Sequence, residues 1–178
     1  MLIMESERIL LRQWSDDDAT ALFKYASDPD VGPRAGWRPH SSVEESLSII
    51  RTTFGNSTTW AIVLKSTNEP IGAIGYGPSC DCDLPALPDE PTVGYWVGKP
   101  YWNRGICSEA LRLMIRHITD STDIESLISG HYLDNPASGR VMEKCGFIAT
   151  GEICTSPTLQ IGSDRPIRIL RLSINRQK

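Results

Sequence analysis

The chain has 178 residues, 40% hydrophobic and 22% charged, with a formal net charge of −4, which fits one globular domain spanning 1–178 with a sizeable core. An acidic balance without a basic stripe argues against a nucleic-acid partner, whose phosphates need concentrated Lys and Arg, and it suits a cationic substrate. No run of about 18 apolar residues occurs, so no membrane span is expected, and the first five residues lack the basic and apolar regions of a signal peptide.

In chain order, Ile9 to Arg12 is a short β-type run. Ser15 followed by Asp16, Asp17 and Asp18 supplies an N-cap with acids in the first turn, and Ala19, Leu22, Phe23 and Ala26 continue at helical spacing. Val31 to His40, with Gly32, Pro33, Gly36 and Pro39, reads as a loop carrying Arg34, Trp37 and Arg38. Ser42-Val43-Glu44-Glu45 is a second capping box, opening a helix with the apolar stripe Val43, Leu47, Ile50 and Phe54. The period then shortens: Thr59 to Lys65 and Pro70 to Gly77 read as a hairpin around Ser66-Thr67-Asn68-Glu69. Pro78 to Pro91 holds four prolines, three Asp and Glu90, and is expected to be an irregular, solvated acidic loop. Thr92 to Val97 is a strand, and Ser108 to Ile118 a helix with Ala110, Leu111, Met114, Ile115 and Ile118 on one face. Ser126 to Leu133, a short helix Ala137 to Cys145, and the strands Phe147 to Ile153 and Ile167 to Ile174 complete an α/β (α+β) pattern around one mixed sheet.

The five cysteines, Cys80, Cys82, Cys107, Cys145 and Cys154, are odd in number and spread over a chain large enough to fold without staples, which indicates reduced thiols and a cytoplasmic setting. Cys80-Asp81-Cys82 offers two thiolates where a zinc site takes four ligands, so no metal is expected. Gly72, Gly75 and Gly77 lie inside a strand with no helix behind them, which is the wrong context for a dinucleotide fingerprint.

The turn Trp102-Asn103-Arg104-Gly105-Ile106-Cys107 leads directly into a helix. A helix N-terminus presents unpaired N–H groups and partial positive charge, a glycine there allows close approach, and Arg104 adds charge, so the turn suits an anion.

Together with its neighbours this turn resembles the GNAT superfamily of N-acetyltransferases, in particular the RimJ/RimL branch. The residues that carry the likeness are Tyr101 to Leu111, the preceding Val93-Gly94-Tyr95-Trp96-Val97, Asn135-Pro136-Ala137-Ser138 with Glu143-Lys144-Cys145-Gly146-Phe147, and the opening Glu7 to Arg12. The likeness covers nearly the whole chain in the right order. It implies a bent, mostly antiparallel sheet flanked by helices, in which a central strand pair splays apart to admit acetyl-CoA. The pantetheine arm would bond to backbone near Trp96 and Val97. The pyrophosphate would sit on the amides of Arg104, Gly105, Ile106, Cys107, Ser108 and Glu109, with Asn103, Asn135 and Lys144 contributing to the cofactor site. Cys107 stands where the family usually has Gly or Ala, and its expected role is packing.

The chemistry that the resemblance implies is direct attack of a primary amine on the thioester, which needs a base, a donor to the oxyanion and a proton for the thiolate. The amide of Val97 would polarise the carbonyl, and Ser138 would protonate the thiolate, unless it is simply a first-turn serine. Asn135 either bonds the cofactor arm or serves as the turn residue before Pro136. The branch often has a glutamate where this chain has Thr92, so no base is identified: Asp81, Asp83, Asp89 and Glu90 of the acidic loop are candidates to take the proton through water, or the amine arrives already neutral, and His117 and His131 read as structural. The acceptor site is expected near Arg34, Trp37, Thr92 and Tyr95. Peptide N-termini and small-molecule amines both fit, the acyl chain length is open, and monomer and homodimer are both compatible. The rival from another class is a catalytically silent acyl-CoA-binding module, kept alive by Thr92.

Overall fold

The computed structural model describes residues 3–78, 84–155 and 164–174. Eight strands form one sheet: β1 (Met4–Glu5), β2 (Ile9–Arg12), β3 (Thr59–Leu64), β4 (Glu69–Gly77), β5 (Thr92–Val97), β6 (Ser126–Tyr132), β7 (Ile148–Cys154) and β8 (Ile167–Ser173). Their spatial order is β1-β2-β3-β4-β5-β6-β8-β7. Every neighbouring pair is antiparallel except β5 and β6. Five α-helices accompany the sheet: α1 (Ala19–Ala26), α2 (Gly32–Ala35), α3 (Val43–Thr52), α4 (Ile106–Ser121) and α5 (Pro136–Glu143). Among the described residues no helix is long and apolar enough to cross a membrane, and Cys80, Asp81, Cys82 and Asp83 lie outside them.

Local chemistry explains most boundaries. The Asp18 carboxylate accepts from the Ser15 amide at 2.9 Å and from both Nη atoms of Arg12 at 2.6 and 2.8 Å. That fixes the 3-10 turn Asp16–Asp18 at the mouth of α1. Ser42 Oγ accepts from the Glu45 amide at 3.1 Å and caps α3. The segment 31–40, expected as a loop, contains the helical turn α2; Pro33 near its start suits helical φ, and Gly36 at φ 90° ends it. α4 begins at Ile106, two residues before the expected Ser108, because Gly105 at φ 75° turns the chain directly into it. The α4 stripe Ala110, Leu111, Met114 and Ile118 is fully buried, with Trp60, Ile62 and Ile74 of β3 and β4 in the same core.

The acidic loop departs from expectation at its end. Glu90 is 2% exposed. Its carboxylate accepts from Arg171 Nε at 2.9 and 3.0 Å and from the Leu87 amide at 2.9 Å, while Arg171 Nη2 donates to the Pro85 carbonyl at 2.8 Å. Glu90 is not solvated; it clamps the loop before β5 onto β8.

The β5–β6 pair is the feature that makes a site. The two strands share one registered pair, Thr92 with Ile128. The Ile128 amide donates to the Pro91 carbonyl at 3.0 Å and Ser129 Oγ to the Val93 carbonyl at 2.8 Å. Beyond that seam the ladder stops and the strands part.

Candidate active site

In an antiparallel pair every second residue turns its N–H and C=O toward its partner. The Gly98 amide donates to the Ile71 carbonyl at 2.8 Å, and Trp96 lies opposite Ala73, so Trp96 and Gly98 are the β5-side residues bonded to β4. Tyr95 and Val97 therefore turn their backbone groups to the gap beside β6. The Val97 carbonyl accepts from Trp102 Nε1 at 2.9 Å, and the Val97 amide faces the gap. The expectation that Trp96 offers backbone there is corrected, because its main chain belongs to the β4 ladder.

A continuous cleft of about 1190 Å³ runs through the gap. Its lining includes Cys107 and Ser138 on the α4/α5 side and Trp37, Phe54 and His40 on the α1/α3 side, so it is open to both faces of the sheet.

At the head of α4, the helix ladder begins with the Glu109 amide donating to the Gly105 carbonyl at 3.0 Å. The unbonded first-turn amides are thus those of Ile106, Cys107 and Ser108. Glu109 falls out of the expected anion cradle. Its carboxylate is ion-paired with Arg8 and accepts from Ser6 Oγ at 2.5 Å, and this anchors β2's approach to α4. Asn103, at φ 60°, and Arg104 shape the exposed turn. Arg104 lies 5.9 Å over the Tyr101 ring, and its carbonyl accepts from Arg8 Nη1 at 3.0 Å. A second hollow of about 470 Å³ adjoins, bordered by Arg8, Arg112 and Lys144. A Cβ added at Gly105 would meet only Arg8, at 3.8 Å. This open cradle of backbone amides, with Arg8, Arg112 and Lys144 beside Glu7 and Glu109 at its rim, fits a pyrophosphate.

Deeper in the gap, Tyr95 Oη donates to the Ser138 carbonyl at 2.7 Å and lies 3.0 Å from Ser138 Oγ. With the Tyr95 proton committed to the carbonyl, the serine is the donor of the second bond. Tyr95, expected beside the acceptor, is instead the support of Ser138. Burial pushes the Tyr95 phenol well above its usual range and the Cys107 thiol up to about 12, so both stay protonated, and Cys107 is no nucleophile. Tyr95→Phe is expected to lower kcat roughly tenfold by losing about 1.4 kcal/mol of hydrogen bonding. Donor KM should hold within about twofold; steady-state kinetics check both.

On the α1/α3 side, Trp37 packs edge-on to Trp96, with ring centroids 5.5 Å apart. Half-buried Thr92 and exposed Gly94 line the same cleft. Helix α2 bridges the two arms of the splay. On the β5 arm, Asp30 pairs with Lys99 and the Arg34 guanidinium lies 5.0 Å over Trp102. On the β6 arm, Arg165 Nη1 donates to the Pro33 carbonyl at 2.8 Å and Asn135 Nδ2 to the Arg34 carbonyl at 3.2 Å. The Asn135 side chain is thereby a tether between α5 and α2. His131 Nδ1 lies 2.8 Å from the Tyr132 carbonyl, and His117 meets Trp60 edge-on at 5.8 Å.

Sequence reasoning missed His40. Its ring lines the cleft beside Trp37, at 5.4 Å, with Nδ1 2.8 Å from Ser46 Oγ. His40 precedes the Ser42 cap and Ser46 lies one turn into α3, a six-residue spacing that only the cap geometry explains.

Comparison with known proteins agrees with this architecture. The family model described as "Acetyltransferase (GNAT) domain" matches residues 8–148. The chain is 28% identical over 154 residues to "Uncharacterized N-acetyltransferase YoaA" of Bacillus subtilis, covering 84% of each chain. It is 34% identical over 84 residues to the ribosomal-protein-serine acetyltransferase of Escherichia coli, covering 47% of this chain and 44% of that one. Among solved structures, a GNAT-family acetyltransferase from Bacillus anthracis superposes with a TM-score of 0.81 at 21% identity, covering 97% of this chain and 98% of that one. The Microcin C7 self-immunity acetyltransferase MccE, in complex with acetyl-CoA and AMP, gives 0.76 at 18% identity, covering 95% and 94%. With the splayed β5–β6 pair and the glycine turn at the head of α4, these matches make the chain a member of the GNAT family of acetyltransferases.

Proposed function

We propose that the chain transfers acetyl from acetyl-CoA to a primary amine by direct attack, donor and acceptor meeting in the gap between β5 and β6. The observation that carries this reading is the cleft that passes through the sheet, joining the α4 cradle to the lobe walled by Trp37 and Trp96. Two substrates can then lie in contact without a covalent enzyme intermediate, and Cys107, the one cleft-lining thiol among the described residues, is protonated by burial. Acetyl-CoA supplies the activated thioester.

The residues divide the work. The amides of Ile106 to Ser108, with Arg8, Arg112 and Lys144 alongside, hold the pyrophosphate. The Val97 amide donates to the carbonyl oxygen as it becomes an oxyanion. Ser138, positioned by Tyr95, turns its O–H from the phenol oxygen and gives its proton to the thiolate. Trp37, Trp96, Thr92 and Gly94 wall the acceptor. The name of the Escherichia coli relative, a ribosomal-protein-serine acetyltransferase, favours a protein acceptor over a small amine.

Free-thiol release from acetyl-CoA is the test, across peptides with Ala, Ser or Met N-termini, polyamines, amino acids and aminoglycosides, with a no-acceptor control. Release with one class names the acceptor. Donor binding without release favours the silent-module alternative, and absence of donor binding refutes the proposal. Gly94→Leu probes the acceptor lobe separately. A Cβ at Gly94 meets nothing within 4 Å, so stability should stay within about 0.5 kcal/mol. The added side chain fills the lobe, so acceptor KM is expected to rise at least tenfold with donor affinity intact.

A further inference from the structure

We infer that His40 is the general base that removes the proton from the incoming ammonium. The inference rests on the proposed acetyl transfer and supplies the group that its chemistry still lacks. An amine at neutral pH arrives charged and must lose a proton before its nitrogen can attack. Thr92 cannot take it.

The acceptor lobe narrows the choice. Around it, the cleft-lining ionisable side chains are Arg34, Arg38, His40, Glu45, Tyr76 and Tyr132, the last lying under Arg165 with its phenol pushed up by burial. A guanidinium offers donors and no acceptor lone pair, which excludes Arg34 and Arg38. Burial pushes the Tyr76 phenol up. Glu45 is tied to Ser41, accepting from its amide and its hydroxyl at 2.5 and 2.7 Å, and these bonds hold its carboxyl below the usual range, so it is a poor proton acceptor. Glu90, beyond the lobe, is clamped by Arg171. His131 also lines the cleft, but its Nδ1 meets the Tyr132 carbonyl and its Nε2 lies against Gly139 of α5; on the α1/α3 side, among the described residues, His40 is the imidazole that offers a nitrogen lone pair.

The fold also fixes His40 for the task. Its backbone amide donates to the Ala26 carbonyl of α1 at 3.0 Å. Nδ1 meets the fully buried Ser46 hydroxyl of α3, and Trp37 covers one side of the ring. With Nδ1 turned to the buried serine, Nε2 is the ring nitrogen left for the cleft that His40 lines. Burial holds the ring below the ordinary histidine value, against a smaller upward pull from Glu45. Arg38, two residues away, and Arg34 are the cationic side chains on this lobe.

The step balances as follows. The ammonium gives one proton through water to His40 Nε2, and the neutral nitrogen attacks the acetyl carbon. The C–N bond forms and the C–S bond breaks. The second nitrogen proton ends on the departing thiolate by way of Ser138, and protonated His40 returns its proton to solvent along the cleft.

The test is the pH dependence of kcat/KM for two acceptors, a peptide α-amine titrating near 8 and an alkylamine near 10.4. Wild type should show an ascending limb with its midpoint below about 6.5. His40→Gln should abolish that limb. At pH 7 it should cost about 100-fold with the alkylamine and less with the α-amine, while donor KM is unchanged and added imidazole restores part of the rate. Equal losses for both acceptors, or a retained limb, overturn the assignment. Ser46→Ala tests it without touching the ring. If Ser46 accepts from Nδ1–H, its removal moves the limb to lower pH. Movement to higher pH means that Ser46 donates and Nε2 carries the hydrogen, which overturns the base. No thiol release by wild type with either acceptor defeats the acetyl-transfer proposal itself, and the base with it.

Discussion

Gly72→Ala is expected to destabilise the protein by roughly 3 kcal/mol or more, at the upper end of what overpacking costs, and to abolish donor binding with it. A Cβ at Gly72 would lie 2.2 Å from the Trp96 carbonyl oxygen and 2.8 Å from Val97 Cα. Both obstacles are backbone, so no rotamer change relieves them. β5 would have to move away from β4, carrying the Val97 amide and the Tyr95 hydroxyl off their positions in the gap. Gly94→Ala on β5 is the control. It makes the same change in a strand, but its Cβ meets nothing within 4 Å, and its effect should stay within about 0.5 kcal/mol. Urea denaturation of both variants measures the difference. Equal midpoints would refute the close-approach account.

Glu90→Ala is expected to cost about 3 kcal/mol, the lower part of the range for removing one partner of a buried ion pair. The Glu90 side chain is 0% exposed and that of Arg171 28%, so the abandoned guanidinium recovers some water while the Leu87 amide loses its acceptor. Glu90→Gln keeps the shape and one acceptor oxygen, so it should cost less. Arg171→Lys should fall between, since an ammonium cannot reach carboxylate and Pro85 carbonyl with the same fork. A double-mutant cycle on urea midpoints should return a coupling of about 1–3 kcal/mol; a coupling near zero would mean that the two side chains act independently.

Much of this was written locally. The Ser42 cap, the α4 stripe and the hairpin of β3 and β4 follow from residues close in sequence, and each stands in the structure where its chemistry put it. The glycine turn was legible for the same reason, although the amide count at its helix was not. Only the Glu109–Gly105 bond shows where the ladder starts. What stayed hidden depends on long-range meetings. Tyr95 meets Ser138 across 43 positions and Arg171 meets Glu90 across 81. Which of Tyr95 and Trp96 turns its main chain to the gap is set by the register with β4. A glutamate among prolines reads as surface until the arginine that buries it is known. Helix α2 is too short for periodicity to reveal.

The single registered pair between β5 and β6 gives the sheet four borders in place of two. Unpaired strand borders ordinarily invite a second protein to add a strand, which is the route to aggregation. Here the two additional borders lie inside the molecule, roofed by α2 and the Trp102 indole. A folded neighbour cannot enter such a slot, but a single extended chain of amides can. The protein thus keeps the adhesive property of an open strand and restricts it to guests one chain wide.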